Sequence, residues 1–303
     1  MSLKRLAQEL ADIASALRSK TACVISVGTW GDKKCLLKVR DRNYRPRLKV
    51  YHVMLDGVEV AYMRDEVTGW VEGLNEYGIG IVNTALMVDA DEEEHANAQR
   101  GVKRLDGKRI KEGLKQKTVE EAAEAVKATE RGLPGHTFIA DKDRTIALEE
   151  DRAHDYLQKN LSNKIHTRTN HGIAYEDAGY QEGEDYDSSV ARRDTAMKAL
   201  RGLEGPDDIV PALMKARKQD RDDPNNVVRR GENDQMRTTS HLVIDLTDLA
   251  LNLYLMPNNV QFAGFYQKLP DDHDAKITVR IYKIKDYDEE GEPDDLEILE
   301  FEP

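Results

Sequence analysis

The chain has 303 residues, and its 45 Lys and Arg residues against 57 Asp and Glu residues give a formal net charge of −12. This balance argues against a protein that binds nucleic acid by neutralising its phosphates. No run of about 18 apolar residues is present, so no membrane-spanning segment and no membrane partner are predicted.

The first 22 residues form a segment of their own. Apolar residues recur at helical spacing between Leu3 and Leu17, which predicts one amphipathic helix. Charged residues interrupt the same stretch, so it lacks the compact apolar core of a secretion signal. A cytoplasmic protein is therefore expected.

A block of strands is predicted after this helix. Residues 21–29 and 35–39 form a hairpin around a turn at 31–34, and Cys23 lies at the start of its first strand. Alternating or continuous apolar runs predict further strands at 50–54, 58–63, 69–74 and 78–83.

The rest of the chain alternates helices with strands. Polar composition predicts loops at 90–104 and 176–187. Helices are predicted at 107–116, 118–129, 188–203 and 206–219, and Thr118 is the expected N-cap of the second. Strands are predicted at 136–141, 145–150, 153–158, 164–169, 238–245, 251–256, 277–284 and 296–301. Antiparallel hairpins that alternate with helix pairs favour an α+β architecture over a parallel βαβ sheet.

The chain offers little to bind a cofactor or a metal. Its two cysteines, Cys23 and Cys35, belong to no Cys-x-x-Cys pair, and no His-Glu-x-x-His motif is present. The glycines at 78–80 lack the third glycine and the following helix of a dinucleotide site. We therefore expect no cofactor and no metal, and we interpret Cys35 as a small buried hydrophobe.

Four separated segments carry a recognisable set of motifs. The first joins Cys23 to a basic run on the returning strand, and the later ones include Gly-Leu-Asn-Glu, Thr-Asn-His and Ser-Ser-Val-Ala-Arg. The segments are residues 23–44, 72–83, 138–171 and 187–192. In this order and spacing they resemble the choloylglycine hydrolase and penicillin V acylase group, together with the acyl-coenzyme A:6-aminopenicillanic acid acyltransferases.

The resemblance implies a fold and a reaction class. Members of this group are N-terminal-nucleophile (Ntn) hydrolases with a four-layer αββα sandwich of two antiparallel sheets between helix layers. The resemblance implies three parts in this chain: a helical pro-segment at 1–22, an Ntn-hydrolase domain at 23–285 and an acidic tail at 286–303. It also implies cleavage of a linear, non-peptide amide by hydrolysis or acyl transfer, with a small-molecule substrate.

The resemblance makes Cys23 the nucleophile. In the family the reacting cysteine is the first residue of the mature chain, and its free α-amine serves as the base. Cleavage between Ala22 and Cys23 is therefore expected, and the leading helix would cover the site until then. The alternative is that residues 1–22 are an N-terminal helix that stays attached and packs on the core.

Two alignments fit the family motif on the returning strand. In one, Arg40 takes the place of the Arg beside the thiol, and Asn43 takes the place of the Asp that holds the α-amine. In the other, Asp41 keeps that carboxylate, but Lys38 replaces the Arg and Val39 the Asn. A cation near the thiol would favour the thiolate in either case.

Three more residues are implied as site residues. Asn83 and Asn170 match family positions that line the oxyanion hole or the substrate site, where an amide N–H can stabilise developing negative charge. Arg192 would support the nucleophile strand or Cys23. His171 is expected to order a loop rather than to transfer protons.

The sequence thus predicts a cysteine Ntn amidohydrolase or acyltransferase that acts through a Cys23 thioester. Two alternatives stay open: a self-processing protease of narrow specificity, and a catalytically degenerate Ntn scaffold that serves in binding or assembly. A homo-oligomer is expected, with the acidic tail as a solvated edge or a subunit contact.

Overall fold

The computed structural model describes residues 21–87, 105–129, 134–150, 156–175, 181–216, 223–229, 236–256, 258–284 and 296–299. The predicted N-terminal helix and the predicted loop at 90–104 lie outside the described residues. So does most of the acidic tail, apart from 296–299.

Seven strands form the first sheet. Its spatial order is β10-β1-β2-β11-β12-β14-β15. The strands are β1 (Thr21–Trp30), β2 (Lys33–Arg42), β10 (His166–Arg168), β11 (Arg237–Asp245), β12 (Ala250–Leu255), β14 (Thr278–Ile284) and β15 (Leu296–Ile298). The predicted hairpin of the first two strands therefore lies inside a larger sheet, between β10 and β11.

Eight strands form the second sheet, in the order β13-β3-β4-β5-β6-β7-β8-β9. They are β3 (Arg47–Leu55), β4 (Val58–Asp65), β5 (Val71–Asn75), β6 (Gly80–Ala85), β7 (Gly135–Ala140), β8 (Thr145–Glu150), β9 (Leu157–Asn160) and β13 (Gln261–Lys268). Apart from β13, these strands follow one another in chain order, as expected for a meander of hairpins.

Helices cover the outer face of each sheet. The second sheet carries α1 (Leu105–Leu114) and α2 (Val119–Ala128), whereas α3 (Glu184–Ala199) and α4 (Ile209–Lys215) pack on the first. The predicted N-cap is present, because Glu121 N donates to Thr118 Oγ1 over 3.2 Å. Among the described helices, none is long and apolar enough to cross a membrane.

Three apolar layers hold these elements together. On β1, Ile25 and Val27 pack against the second sheet, whereas Val24 packs against the helix layer. This division follows from the two-residue period of a strand. A third layer, which includes Ile81 and Val126, joins the second sheet to its helices. The four-layer αββα arrangement implied by the sequence is confirmed.

The resemblance had implied two wholly antiparallel sheets, but each sheet contains one parallel pair of strands. β12 pairs with β14, and β13 with β3, in parallel. The reason is the path of the chain: β13 crosses to the second sheet, so β14 returns beside β12 in the same direction. No strand was predicted at β13, whose regular pairing is interrupted by a register shift next to Gly264, at φ 114°.

Three helix and strand boundaries also differ from the prediction. Helix α3 begins at Glu184, so the end of the predicted acidic loop is helical, and acidic residues suit the first turn of a helix. The predicted helix at 206–219 begins as a 3₁₀ turn at Pro206–Asp208, and α4 ends at Lys215. The strand predicted at 153–158 corresponds to β9, which ends at Asn160, two residues after the predicted end.

Candidate active site

Cys23 is a buried residue of the first sheet. It sits on β1, has Arg40 of β2 as its cross-strand partner, and is only 1% exposed. Its side chain shares the strand face of Ile25 and Val27, which is the face turned toward the second sheet. Thr21 and Ala22 precede it on the same strand.

Three cations line the same face of β2. Lys38, Arg40 and Arg42 alternate along the strand, and all are buried. We call these three residues the basic face. Arg42 reaches the thiol, because its Nη1 donates to Cys23 Sγ over 3.2 Å.

Two buried carboxylates of the second sheet meet the basic face. Glu72 on β5 accepts hydrogen bonds from Lys38 Nζ and from Arg40 Nη2. Asp65 at the end of β4 lies 3.7 Å from Arg40 Nη1 and 3.9 Å from Arg42 Nε. Three cations face two carboxylates, which leaves one positive charge that a Cys23 thiolate would neutralise.

The electrostatics of the cluster favour that thiolate. Burial alone raises the pKa of the Cys23 thiol, but the nearby Lys38, Arg42 and Arg40 cations outweigh burial and lower it below its ordinary value. Burial lowers the pKa of Lys38 to about 8, although Glu72 opposes the shift. A lowered thiol pKa is what a reactive cysteine requires.

Asn170 holds the backbone nitrogen of Cys23. Its Oδ1 accepts from Cys23 N over 3.1 Å and from Arg192 Nη2 over 2.9 Å. Its Nδ2 donates to Thr84 Oγ1 at 3.0 Å and to Ala85 O at 2.6 Å. Both side-chain hydrogens of Asn170 are therefore in use, and its carbonyl oxygen is the atom that faces Cys23.

Helix α3 fixes the segment that carries Asn170. Ser189 Oγ accepts from Asn170 N over 2.8 Å, and Thr169 Oγ1 donates to Ser189 O over 2.9 Å. His171 Nδ1 lies 2.9 Å from Ser189 Oγ. Burial, together with the neighbouring Arg193, lowers the pKa of His171 to about 4, so this ring is neutral at pH 7 and helps to order the loop.

The other side of the Asn170 segment is tied to the second sheet. The Glu149 carboxylate at the end of β8 accepts backbone hydrogen bonds at 2.9, 2.9 and 3.2 Å from the amides of residues 173–175. His136 Nε2 lies 2.9 Å from His171 O. Residues 169–175 are thus clamped between α3 and the strands β7 and β8.

Asp41 points to the opposite face of β2 from the basic face. Its Oδ1 accepts from Thr238 Oγ1 over 2.7 Å, and its Oδ2 lies 3.9 Å from both Arg192 Nη1 and Arg229 Nε. Burial raises the pKa of Asp41, while Arg229 and Arg192 oppose the shift. Asp41 therefore reaches Cys23 indirectly, through Arg192 and Asn170.

Asn83 on β6 is linked to the basic face by Lys38. Lys38 Nζ donates to Asn83 O over 2.7 Å and to Asn83 Oδ1 over 3.2 Å. Because an ammonium group only donates, the atom of the carboxamide that faces Lys38 must be the oxygen. The contacts with Lys38 use only the oxygens of Asn83, so they do not involve the hydrogens of its side-chain amide.

The structure brings most of the residues implied by the resemblance into one network. Cys23, Asn170, Arg192 and Asp41 are joined by the contacts above, and Arg40 and Asn83 join through Glu72 and Lys38. Asn43 lies just after β2 in a half-buried turn. Neither alignment of the basic motif placed Arg42 on the thiol, although the alternation of basic residues at 38, 40 and 42 was a signal for it. The residues not assigned from sequence are Arg42, Asp65, Glu72, Glu149, Ser189, Arg229 and Thr238.

The second cysteine differs from the first. Cys35 is free and buried, and burial raises the pKa of its thiol strongly. Within the described residues, no group of three or more His, Cys, Asp or Glu side chains is arranged to hold a metal ion. Cys23 alone of the two thiols lies beside a cluster of cations.

No protein-family model matches the chain, and no curated protein matches it. Several solved structures are similar to it, and two of them are described below. One is a Caenorhabditis elegans N-acylethanolamine-hydrolyzing acid amidase ortholog, with 15% identity, a TM-score of 0.47, and coverage of 74% of this chain and 93% of that one. The other is penicillin V acylase from Agrobacterium tumefaciens, with 11% identity, a TM-score of 0.47, and coverage of 85% and 99%.

Proposed function

We propose that this protein is a cysteine N-terminal-nucleophile amidohydrolase or acyltransferase that acts on a linear, non-peptide amide. The observation that carries the proposal is the contact between Arg42 and the Cys23 sulfur, within a buried cluster whose charges balance when the thiol is ionised. A structural cysteine needs no such surroundings, whereas a nucleophile does.

The first half of the proposed reaction forms a thioester. The thiol proton passes to the α-amine of Cys23, and the sulfur attacks the acyl carbonyl. The tetrahedral oxyanion is stabilised by amide hydrogens, for which we propose Asn83, since those of Asn170 are already bonded. The C–N bond then breaks, and the leaving amine takes the proton back from the α-ammonium.

The second half releases the acyl group. Water attacks the thioester and gives a proton to the α-amine. The C–S bond then breaks, a carboxylic acid is released, and the sulfur takes the proton back from the α-ammonium. A second amine in place of water would instead yield a new amide. Asn170 Oδ1 would hold the α-amine as it holds the backbone nitrogen in the intact chain.

This chemistry requires a free α-amine on Cys23. We propose that water is added across the Ala22–Cys23 peptide bond, giving a carboxylate on Ala22 and the amine on Cys23. Because Cys23 is 1% exposed in the intact chain, we propose that removal of the leading segment also opens access to the thiol.

A second candidate function is a degenerate scaffold for binding or assembly. The observation that favours it is the burial of Cys23 in the intact chain, because a thiol that is never uncovered cannot meet a substrate. A self-processing protease would cleave its own chain but would not hydrolyse small-molecule amides.

Wild-type protein and two variants distinguish these candidates. We would measure hydrolysis of a panel of N-acyl 4-nitroanilides of increasing acyl length by wild type, Cys23→Ala and Cys35→Ala. The proposal predicts turnover by wild type and by Cys35→Ala, and none by Cys23→Ala. Self-cleavage without turnover of the panel would favour the protease, and neither reaction would favour the scaffold.

A further inference from the structure

Lys38 makes more hydrogen bonds than the other two side chains of the basic face. It is 1% exposed, and its Nζ makes three hydrogen bonds, to Glu72, to Asn83 O and to Asn83 Oδ1. An ammonium group has three N–H donors, so each has an acceptor. The cation is therefore fixed in place, and its position relative to β1 is set by the pairing of β1 with β2.

Glu72 joins two members of the basic face. One carboxylate oxygen accepts from Lys38 and the other from Arg40, while the third member, Arg42, contacts the thiol instead. Glu72 is fully buried, so its charge is poorly screened by water. Burial alone raises the pKa of Glu72, but Arg40 and Lys38 outweigh burial and lower it, so the carboxylate is charged at neutral pH.

The charged groups around Cys23 come from several elements. They are Lys38, Arg40, Asp41 and Arg42 on β2, Asp65 on β4, Glu72 on β5 and Arg192 on α3. Of these, Arg42 contacts the sulfur directly. Lys38 and Glu72 form a buried pair of opposite charge in the same cluster, and the two must act on the thiol in opposite directions.

We infer that Lys38 and Glu72 are positioning residues that together set the ionisation of the Cys23 sulfur. This inference rests on the proposed function, in which Cys23 is the nucleophile. A thiolate is the reactive form, but a thiolate that is stabilised too strongly is a poorer nucleophile. Three uncompensated cations would hold the sulfur as a weak nucleophile, and Glu72 offsets part of their charge.

The inference makes a prediction that a merely structural role does not. Lys38→Met removes a cation and should raise the pH at which Cys23 ionises. Glu72→Gln replaces an anion by a neutral side chain of nearly the same shape and should lower that pH. A general loosening of the site would shift both variants in the same direction. The double variant should return toward wild type, because it removes the pair together.

Carbon-13 NMR of protein labelled with [3-¹³C]cysteine provides the measurement. The chain has two cysteines, so the Cβ resonance of Cys23 can be followed against pH with Cys35 as an internal reference. A shift of about one pH unit in Lys38→Met would reduce the thiolate fraction about tenfold at pH values well below the midpoint of the titration. Lys34→Met is the matched control, since Lys34 is buried on the same face of β2, four residues before Lys38 and farther from Cys23 in the strand pairing.

The outcomes separate this inference from the proposed function. Opposite shifts in Lys38→Met and Glu72→Gln, with Lys34→Met unchanged, would support it even if no amide were hydrolysed. Shifts of the same sign, or no shift in either variant, would overturn it even if the enzyme were active. If Lys38→Met does not fold, the isosteric Glu72→Gln must still lower the ionisation pH.

Discussion

The guanidinium of Arg42 donates a hydrogen bond to the sulfur of Cys23 over 3.2 Å, across two antiparallel strands. Arg42 also donates to Asp41 O over 2.7 Å, which anchors the same Nη1 atom to the backbone of its own strand. A buried, anchored guanidinium stays charged throughout the ordinary pH range. The thiol therefore has a permanent cation in contact with it.

Removal of this cation should make the thiol less acidic. We expect Arg42→Met to move the pH profile of Cys23 alkylation by iodoacetamide upward by about one unit, and to slow alkylation about tenfold at pH values well below the midpoint of that profile. Alkylation of the mature chain, followed by mass spectrometry between pH 5 and 10, measures both. Arg45→Met is the control, because Arg45 donates to Val260 O away from the thiol. An unchanged profile in Arg42→Met would contradict the assignment.

Asn170 should matter more for the rate than for the acidity of the thiol. Asn170→Ala removes the acceptor for Cys23 N and leaves Arg192 without that partner. Loss of such bonds corresponds to about 1–3 kcal/mol, or a fall of about tenfold to a hundredfold in the rate of acylation by 4-nitrophenyl acetate. The pH dependence of iodoacetamide alkylation should change little, and a large change there would argue that Asn170 acts on the sulfur instead.

Adjacent glutamates on β8 offer a matched pair of variants. Glu149→Gln removes part of the clamp on residues 173–175, and Glu150→Gln breaks a buried ion pair with Arg109. Both should lower the free energy of unfolding, by at least about 1 kcal/mol. Urea unfolding measures that loss, and acylation kinetics measure the site.

The two glutamate variants should differ in activity. Only Glu149→Gln should slow acylation, because only Glu149 holds the segment next to Asn170. Equal losses of acylation rate in both variants, after allowance for the unfolded fraction, would mean that the clamp has no specific effect on the site.

The buried His241 should weaken the fold in mild acid. Burial lowers the pKa of His241 to about 4, and within the described part of the chain neither ring nitrogen has a hydrogen-bond partner. Because the pKa of His241 is lower in the folded chain than in the unfolded chain, the unfolded chain binds a proton at a higher pH than the folded chain does. The stabilisation is therefore complete above the unfolded pKa of about 6.5 and is lost as the pH falls toward 4.

This linkage has a measurable size. Between pH 7 and pH 5, it corresponds to a loss of about 2 kcal/mol in the free energy of unfolding. His241→Leu should remove that part of the pH dependence, as measured by urea unfolding at the two pH values. A variant with the same pH dependence as wild type would show that His241 does not contribute to it.

Much of the fold could be predicted from the sequence because strand alternation and helix caps are local signals. Thr118 and its partner Glu121 marked the start of α2 correctly. Strand β13 could not be found in this way, because it is largely exposed and its core-packed residues, Phe262 and Phe265, are three residues apart rather than two. Its place is decided by pairing with β3, more than two hundred residues earlier.

The same limit applies to the site. Cys23 and Asn170 lay in quoted motifs, so the resemblance identified both, and their hydrogen bond joins residues 147 positions apart. The contact of Lys38 with Glu72 is a contact between sheets, and nothing in the local sequence around either residue indicates it. Arg42 was within reach of sequence reasoning, because every second residue from Lys38 to Arg42 is basic.

The most direct test of Cys23 as an N-terminal nucleophile is the intact mass and first residue of the purified chain. Wild type should mature to a species that begins at Cys23, whereas Cys23→Ala should retain residues 1–22. A wild-type chain that persistently begins at Met1 or Ser2, with a mass equal to that expected for the uncleaved sequence, would contradict the proposal.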